Sequence, residues 1–128
     1  TAIANRIVSE IIESHAASRV VKGKSMVSEE MHLNAFLAKH GIEAVETDLG
    51  EFIIQLNGET PSHIIVPAIH KNKAQIAKIF HEKVAGAPYT EEVTELNAIA
   101  RNTLRRKFYE AGIGLSGVNN AVAETATL

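Results

Sequence analysis

The chain reads as an α/β domain, a three-layer fold with a mostly parallel sheet flanked by helices. Short β-branched runs predict the strands: RVVK at 19–22, EAVET at 43–47 and HIIV at 63–66, centred roughly two dozen residues apart. Helical patterns fill the intervals, which is the arrangement of βαβ crossovers. The Gly and Pro residues that flank RVVK and HIIV oppose reading those runs as helix.

The elements follow in order. Ile3, Ile7, Ile11 and Ile12, with Val8 beside them, recur at helical spacing from Ala2 to about Ala17. RVVK is the first strand. Ser28 precedes two acids, Glu29 and Glu30, and is expected to cap the next helix at its positive end. Met31, Leu33, Phe36 and Leu37 form that helix's apolar side, and Gly41 ends it. EAVET is the second strand. Asp48 is expected to cap a short helix through Leu56, with Gly58 and Pro61 as punctuation. HIIV is the third strand, stopped by Pro67. Asn72 begins a helix carrying Ile76, Ile79, Phe80 and Val84, which Gly86 and Pro88 end. Thr90 caps a long helix to about Glu110. After the glycine loop GIGLSGVNN at 112–120, a last strand is expected over Asn120 to Thr127.

Composition narrows the function classes. The 128 residues fit one domain, with neither an internal repeat nor a linker. A net charge of -2 argues against phosphate-driven nucleic-acid binding and against a polybasic membrane binder. Cys is absent, so the chain itself holds no thiolate nucleophile, Cys-ligated zinc or Cys-ligated iron–sulfur cluster. No apolar run approaches membrane-spanning length, and no signal peptide is visible. The expected location is the cytoplasm. The chain lacks an initiator Met and stops on an apolar run, which reads as part of a longer protein. A sheet edge left unpaired by such truncation invites self-association into a homo-oligomer.

In open parallel sheets, ligands sit beyond the carboxyl ends of the strands. The segments expected there are Lys22-Gly-Lys24-Ser25 after the first strand, Glu46-Thr47-Asp48 after the second, and Pro67, His70 and Lys71 after the third. The glycine loop adds Asn119 and Asn120. Lys22, Lys24, Ser25, His70, Lys71 and Asn120 are therefore the candidate substrate- or anion-binding residues. Glu124 is the candidate catalytic residue, an acid flanked by small apolar residues in AVAETATL. Such a group is costly to bury unless it is hydrogen-bonded or faces a cleft.

Other chemistry finds little support. The six histidines show no i, i+4 pair and no HExxH, so no metal site is expected. GIGLSG has G-x-G-x-x-G spacing but follows a helix, whereas the dinucleotide fingerprint follows a strand and opens a helix. Neither a P-loop nor a G-x-S-x-G elbow is present. Arg101, Arg105, Arg106 and Lys107 read as a solvated helix face.

The residues also carry a resemblance. The run from Val20 to Val84, with KSMVSEE, VETDLGEFIIQL and PSHIIVPAIHK, resembles the lactate-utilisation protein B family, as does the closing AVAET. The resemblance implies a LUD domain, similar in fold to CoA transferases, ribose-5-phosphate isomerase and glucosamine-6-phosphate deaminase. It implies a part in oxidising L-lactate to pyruvate, beside the other subunits of a lactate-utilisation complex. It further implies [4Fe–4S] clusters on a ferredoxin-like segment that this Cys-free chain does not contain, so no cofactor is expected here. Ala126 stands where the family pattern has Gly, and Val118-Asn119-Asn120 replaces an ANF-type run. Two roles follow. In one, Lys24 and His70 hold an anion while Glu124 acts as base or nucleophile. In the other, the domain is a docking scaffold for the cluster segment and partner subunits.

Overall fold

Thr1 is followed by a helix α1 over Ala2–Ser14, and strand β1 covers Arg19–Lys22. Two short helices come next, α2 at Met26–Glu30 and α3 at Leu33–Lys39, and then strand β2 at Glu43–Glu46. Helices α4 (Leu49–Leu56), α5 (Lys73–Lys83) and α6 (Val93–Glu110) precede strand β3 at Ile113–Leu115. The computed structural model describes residues 1–63, 65–118 and 120–127. Among the described residues, no helix is long and apolar enough to cross a membrane.

The three strands form an all-parallel sheet in the order β2-β1-β3. This is the α/β architecture that the spacing of RVVK and EAVET predicts. In register, Val20 pairs with Ala44 and Ile113, and Lys22 pairs with Glu46 and Leu115. Alternation along each strand puts all of these on one face. There Val20, Ala44, Ile113 and Leu115 join Ile12 of α1 and Leu33 and Leu37 of α3 in one core. A second core binds α4, α5 and α6 through Phe52, Ile53, Ala77, Ile79, Phe80, Leu96 and Ala100.

Several caps stand where the sequence puts them. The Asp48 carboxylate accepts from Glu51 N at 3.4 Å. Asn72 and Gln75 form a reciprocal capping box, both bonds 2.9 Å. Gly41 and Gly58 take positive φ (74° and 67°) at helix ends.

Five expectations need correction. Ser28 is not an N-cap. Ser25 caps α2, accepting from Ser28 N at 3.3 Å, and Ser28 is buried inside the helix. The helix expected across this region is split at His32, whose φ of 51° breaks the helical ladder. The N-cap of α6 is Glu92, whose N–H donates to Thr90 Oγ1. Of the strand expected at 63–66, Ile64 lies outside the described residues, and His63, Ile65 and Val66 are not in a strand. The His63 ring explains this: its Nδ1 accepts the N–H groups of Ile65 and Val66 at 3.1 and 3.2 Å, which removes them from any ladder.

The fifth correction moves the last strand. Residues 120–127 form no strand; residues 123–126 turn back on themselves, closed by a Val122–Thr127 antiparallel bridge. Ala126 adopts φ of 51° in that turn, so the position where the family pattern has Gly is one that favours Gly. The strand lies instead in the glycine loop. Gly112 admits it, since a Cβ there would sit 2.8 Å from the Ala17 Cβ.

Candidate functional site

Lys22 ends β1 and points to the same face as Val20, yet its side chain is only 1% exposed. Burying an ammonium is costly unless its donors are met. They are: Nζ donates to Ser28 Oγ at 2.7 Å and to Glu29 Oε1 at 3.2 Å, and lies 2.8 Å from Glu46 Oε1. An ammonium has three donors, and all three are occupied. Burial lowers the Lys22 pKa, but the hydrogen bond and charge of Glu46, followed by those of Glu29, raise it above its ordinary value.

Glu46, at the end of β2 and 4% exposed, is the register partner of Lys22. Its Oε1 also accepts from Asn34 Nδ2 at 2.6 Å. The edge of β2 beside it is closed by a side chain from α4. Gln55 Nε2 donates to Ala44 O at 2.7 Å, and Gln55 Oε1 accepts from Glu46 N at 3.0 Å, so one amide replaces a neighbouring strand.

Glu51 stands on the first turn of α4 and is 6% exposed. It accepts no hydrogen bond among the described residues, and Lys24 Nζ is 4.0 Å from its Oε1. The Oε2 atoms of Glu46 and Glu51 are both buried without a partner. Burial, followed by the adjoining Glu46 carboxyl, pushes the Glu51 pKa up to about 7. A proton shared between the two carboxyls answers both orphan oxygens. Burial and the adjoining Glu46 carboxyl therefore favour the protonated form of Glu51, beside the ammonium that Glu46 fixes.

Two cavities adjoin this pair. One, of about 250 Å3, is lined by Lys24, Glu29, Glu51, Ser62 and His63 among others. The second, of about 480 Å3, is lined by Glu29, Asn34, Glu46, Glu51, Gln55 and Glu59 among others.

The residues anticipated from sequence are placed unevenly. Lys22 lies at the carboxyl end of its strand as expected, but is committed to internal partners. Lys24 lines the smaller cavity while donating to Ile65 O at 2.9 Å. Ser25 serves as a helix cap. His70 and Lys71 converge on Glu59, at 3.0 and 2.5 Å, and His70 Nδ1 also meets Ser62 Oγ at 2.7 Å. Lys71 first, then His70, hold the Glu59 pKa down at about 2. These two residues reach the larger cavity only through Glu59. Asn119 lies outside the described residues. Asn120 and Glu124 are exposed, and Glu124 sits in the 123–126 turn rather than in a strand. Glu51, Asn34 and Ser28 were not anticipated as site residues. The alternation of Val20 and Lys22 offered a signal, because a lysine two residues after a core valine on a strand faces the same way.

This strand-end arrangement lies within a stretch that the family model of the LUD domain matches over residues 1–128. The chain belongs to the LUD domain family. Lactate utilization protein B of Anoxybacillus flavithermus and that of Bacillus subtilis are each 46% identical over 126 residues, which is 98% of this chain and 26% of the relative. Lactate utilization protein B of Oceanobacillus iheyensis is 46% identical over 125 residues. This LUD domain chain thus spans about a quarter of the length of the curated relatives it matches. No solved structure matches it.

Proposed function

We propose that this LUD domain serves the oxidation of L-lactate to pyruvate as a proton-handling part of a longer protein. The carrying observation is the Glu46–Glu51 pair, two buried carboxyls with orphan oxygens beside a fixed ammonium. Oxidising a 2-hydroxy acid to a 2-oxo acid releases two protons with two electrons, and a carboxyl titrating near neutrality accepts and returns a proton efficiently. The relatives' name and the 46% identity supply the substrate class. The electrons, on this reading, leave through [4Fe–4S] clusters in another part of the protein or complex. This chain has no Cys and does not fit such a cluster itself. The larger cavity is walled by Glu29, Glu46, Glu51 and Glu59, so it handles protons rather than gripping the lactate carboxylate.

The test is Glu51→Gln in the full-length protein, with lactate oxidation by the assembled system as readout. A loss of about 100-fold or more with normal folding is expected. An unchanged rate overturns the reading.

A second reading, the docking scaffold, is favoured by α1. Ile3, Ile7 and Ile11 are exposed at four-residue intervals on one side of that helix. On this reading other subunits of a lactate-utilisation complex cover the stripe, Glu51→Gln is harmless, and Ile7→Glu abolishes subunit association in a pull-down.

A further inference from the structure

We propose that Ser62, His70 and Glu59 form a nucleophilic site for acyl transfer, in which Ser62 attacks short-chain, uncharged carboxylic esters bound in the 250 Å3 cavity. This activity is separate from proton handling by Glu46 and Glu51, and neither of those acids takes part in it.

The three side chains stand in the order that activates a hydroxyl. Ser62 Oγ meets His70 Nδ1 at 2.7 Å, and His70 Nε2 meets Glu59 Oε2 at 3.0 Å. Lys71 and His70 hold the Glu59 pKa down at about 2, so its carboxylate is ionised and accepts. The His70 proton therefore sits on Nε2. In the neutral ring, Nδ1 is then a lone pair facing Ser62, placed to take its proton. Pro67 O, at 3.1 Å, is a second and longer-range acceptor for the same hydroxyl. Glu59 is itself held: its Oε1 accepts from Lys71 at 2.5 Å and from Asn57, which leaves Oε2 to the ring. The two ring nitrogens are exchanged relative to the serine hydrolases, but the three roles are the same, and such constellations are recognised by geometry rather than by sequence position.

The cavity supplies the donors and the size limit. Ser62 is exposed and lines it together with Lys24 and His63. Lys24 Nζ has three donors and gives one to Ile65 O at 2.9 Å, so N–H groups remain for the oxyanion that develops on an attacked carbonyl. His63 Nδ1 accepts from Ile65 N and Val66 N, so the neutral ring carries its proton on Nε2 and brings a second donor to the lining. Glu29 and Glu30 line the same space and disfavour an anionic acyl group, whereas Met26 and Pro61 offer it apolar contact. A volume of about 250 Å3 lies below that of sites for drug-sized ligands, which selects short chains.

The reaction balances with water as its only co-reactant. Ser62 Oγ forms a bond to the ester carbonyl carbon while its proton passes to His70 Nδ1. The bond from that carbon to the alcohol oxygen breaks, and the leaving oxygen takes the proton from Nδ1. Water then adds to the acyl group on Ser62 and gives a proton to Nδ1. The Oγ–carbon bond breaks, Oγ recovers that proton, and the carboxylic acid departs. Nothing is oxidised or reduced.

The test is covalent labelling of the full-length protein with a fluorophosphonate, the adduct being located by peptide mass spectrometry, alongside hydrolysis of p-nitrophenyl acetate and p-nitrophenyl octanoate. An adduct on Ser62 is expected, with turnover of the acetate and not of the octanoate. Ser62→Ala is expected to abolish the adduct and to lower acetate hydrolysis about 100-fold. His70→Gln is expected to slow adduct formation about 100-fold, and Glu59→Gln about tenfold. A clasp that only closes the loop gives no adduct in the unsubstituted protein. That measurement needs no variant, so it decides the matter even where a variant fails to fold. Absence of an adduct on Ser62, labelling at an unchanged rate in His70→Gln, acetate hydrolysis unchanged in Ser62→Ala, or octanoate turned over as fast as acetate each overturns the proposal. Lactate oxidation is not read here, so failure of this proposal leaves the proton-handling role standing.

Discussion

Lys22 and Glu46 are register partners at the carboxyl ends of adjacent parallel strands, and their charged atoms meet at 2.8 Å in the protein interior. The pair joins sheet pairing to the chemistry of the site: the backbone ladder that aligns β1 with β2 also fixes the ammonium against the carboxylate. Removing one partner leaves the other charge buried and unpaired. Lys22→Met is expected to cost about 3–5 kcal/mol in urea unfolding. The double variant Lys22→Met/Glu46→Gln is expected to recover part of that loss, and a double variant no more stable than the single one would contradict this account.

Glu51 makes stability depend on pH in an unusual direction for a carboxyl. Its folded pKa, about 7, lies above the ordinary 4.5, so between these values the folded state holds a proton that the unfolded state has lost. By linkage its contribution is fully present below about pH 4.5 and is lost as pH rises through about 7. The swing is on the order of 3 kcal/mol. Glu51→Gln is expected to flatten this part of the stability–pH curve, measured by urea melts from pH 4.5 to 8.

Glu59 behaves in the opposite way. Lys71 and His70 hold its folded pKa at about 2, below the ordinary 4.5. The stabilisation is present above the unfolded value and lost as pH falls from about 4.5 toward 2. Glu59→Gln is expected to remove that acid-side loss and to raise hydrogen exchange at Ser62 N, which donates to Pro67 O across the loop that His70 helps to close. Unchanged exchange at Ser62 would show that the ion pairs do not hold the loop.

Gln55 closes the outer edge of β2 with two hydrogen bonds to one strand. Gln55→Ala leaves Glu46 N–H and Ala44 C=O without these partners. A loss of about 1–3 kcal/mol is expected. Light scattering is expected to show greater self-association, because the freed edge is a template for another strand.

Gly50 sits in α4 where a Cβ would lie 2.9 Å from the Pro67 ring. The ring is rigid, so Gly50→Ala forces helix and loop apart despite alanine's better helix propensity. A loss of about 1–3 kcal/mol in chemical denaturation is expected, whereas a gain would show that the loop yields freely.

The sequence by itself determined the local events. β-branched runs bounded by Gly placed β1 and β2, and Asp48 and Asn72 announced their helices, because a cap needs only its own side chain and the next turn. Family membership was equally legible, carried by PSHIIVPAIHK and VETDLGEFIIQL. Tertiary structure decided everything that depends on distant neighbours. HIIV has strand propensity, but the His63 ring takes the N–H groups of Ile65 and Val66. GIGL has little strand propensity, yet it becomes β3 because β1 offers a free edge and Gly112 fits against Ala17. Glu124 looked like the acid to bury; Glu46 and Glu51 are the acids that are buried among the described residues. A carboxyl's environment is set by what packs around it in three dimensions, and the register of β1 and β2, with α4 folded across the sheet edge, brought Glu51 to Glu46 and Lys22.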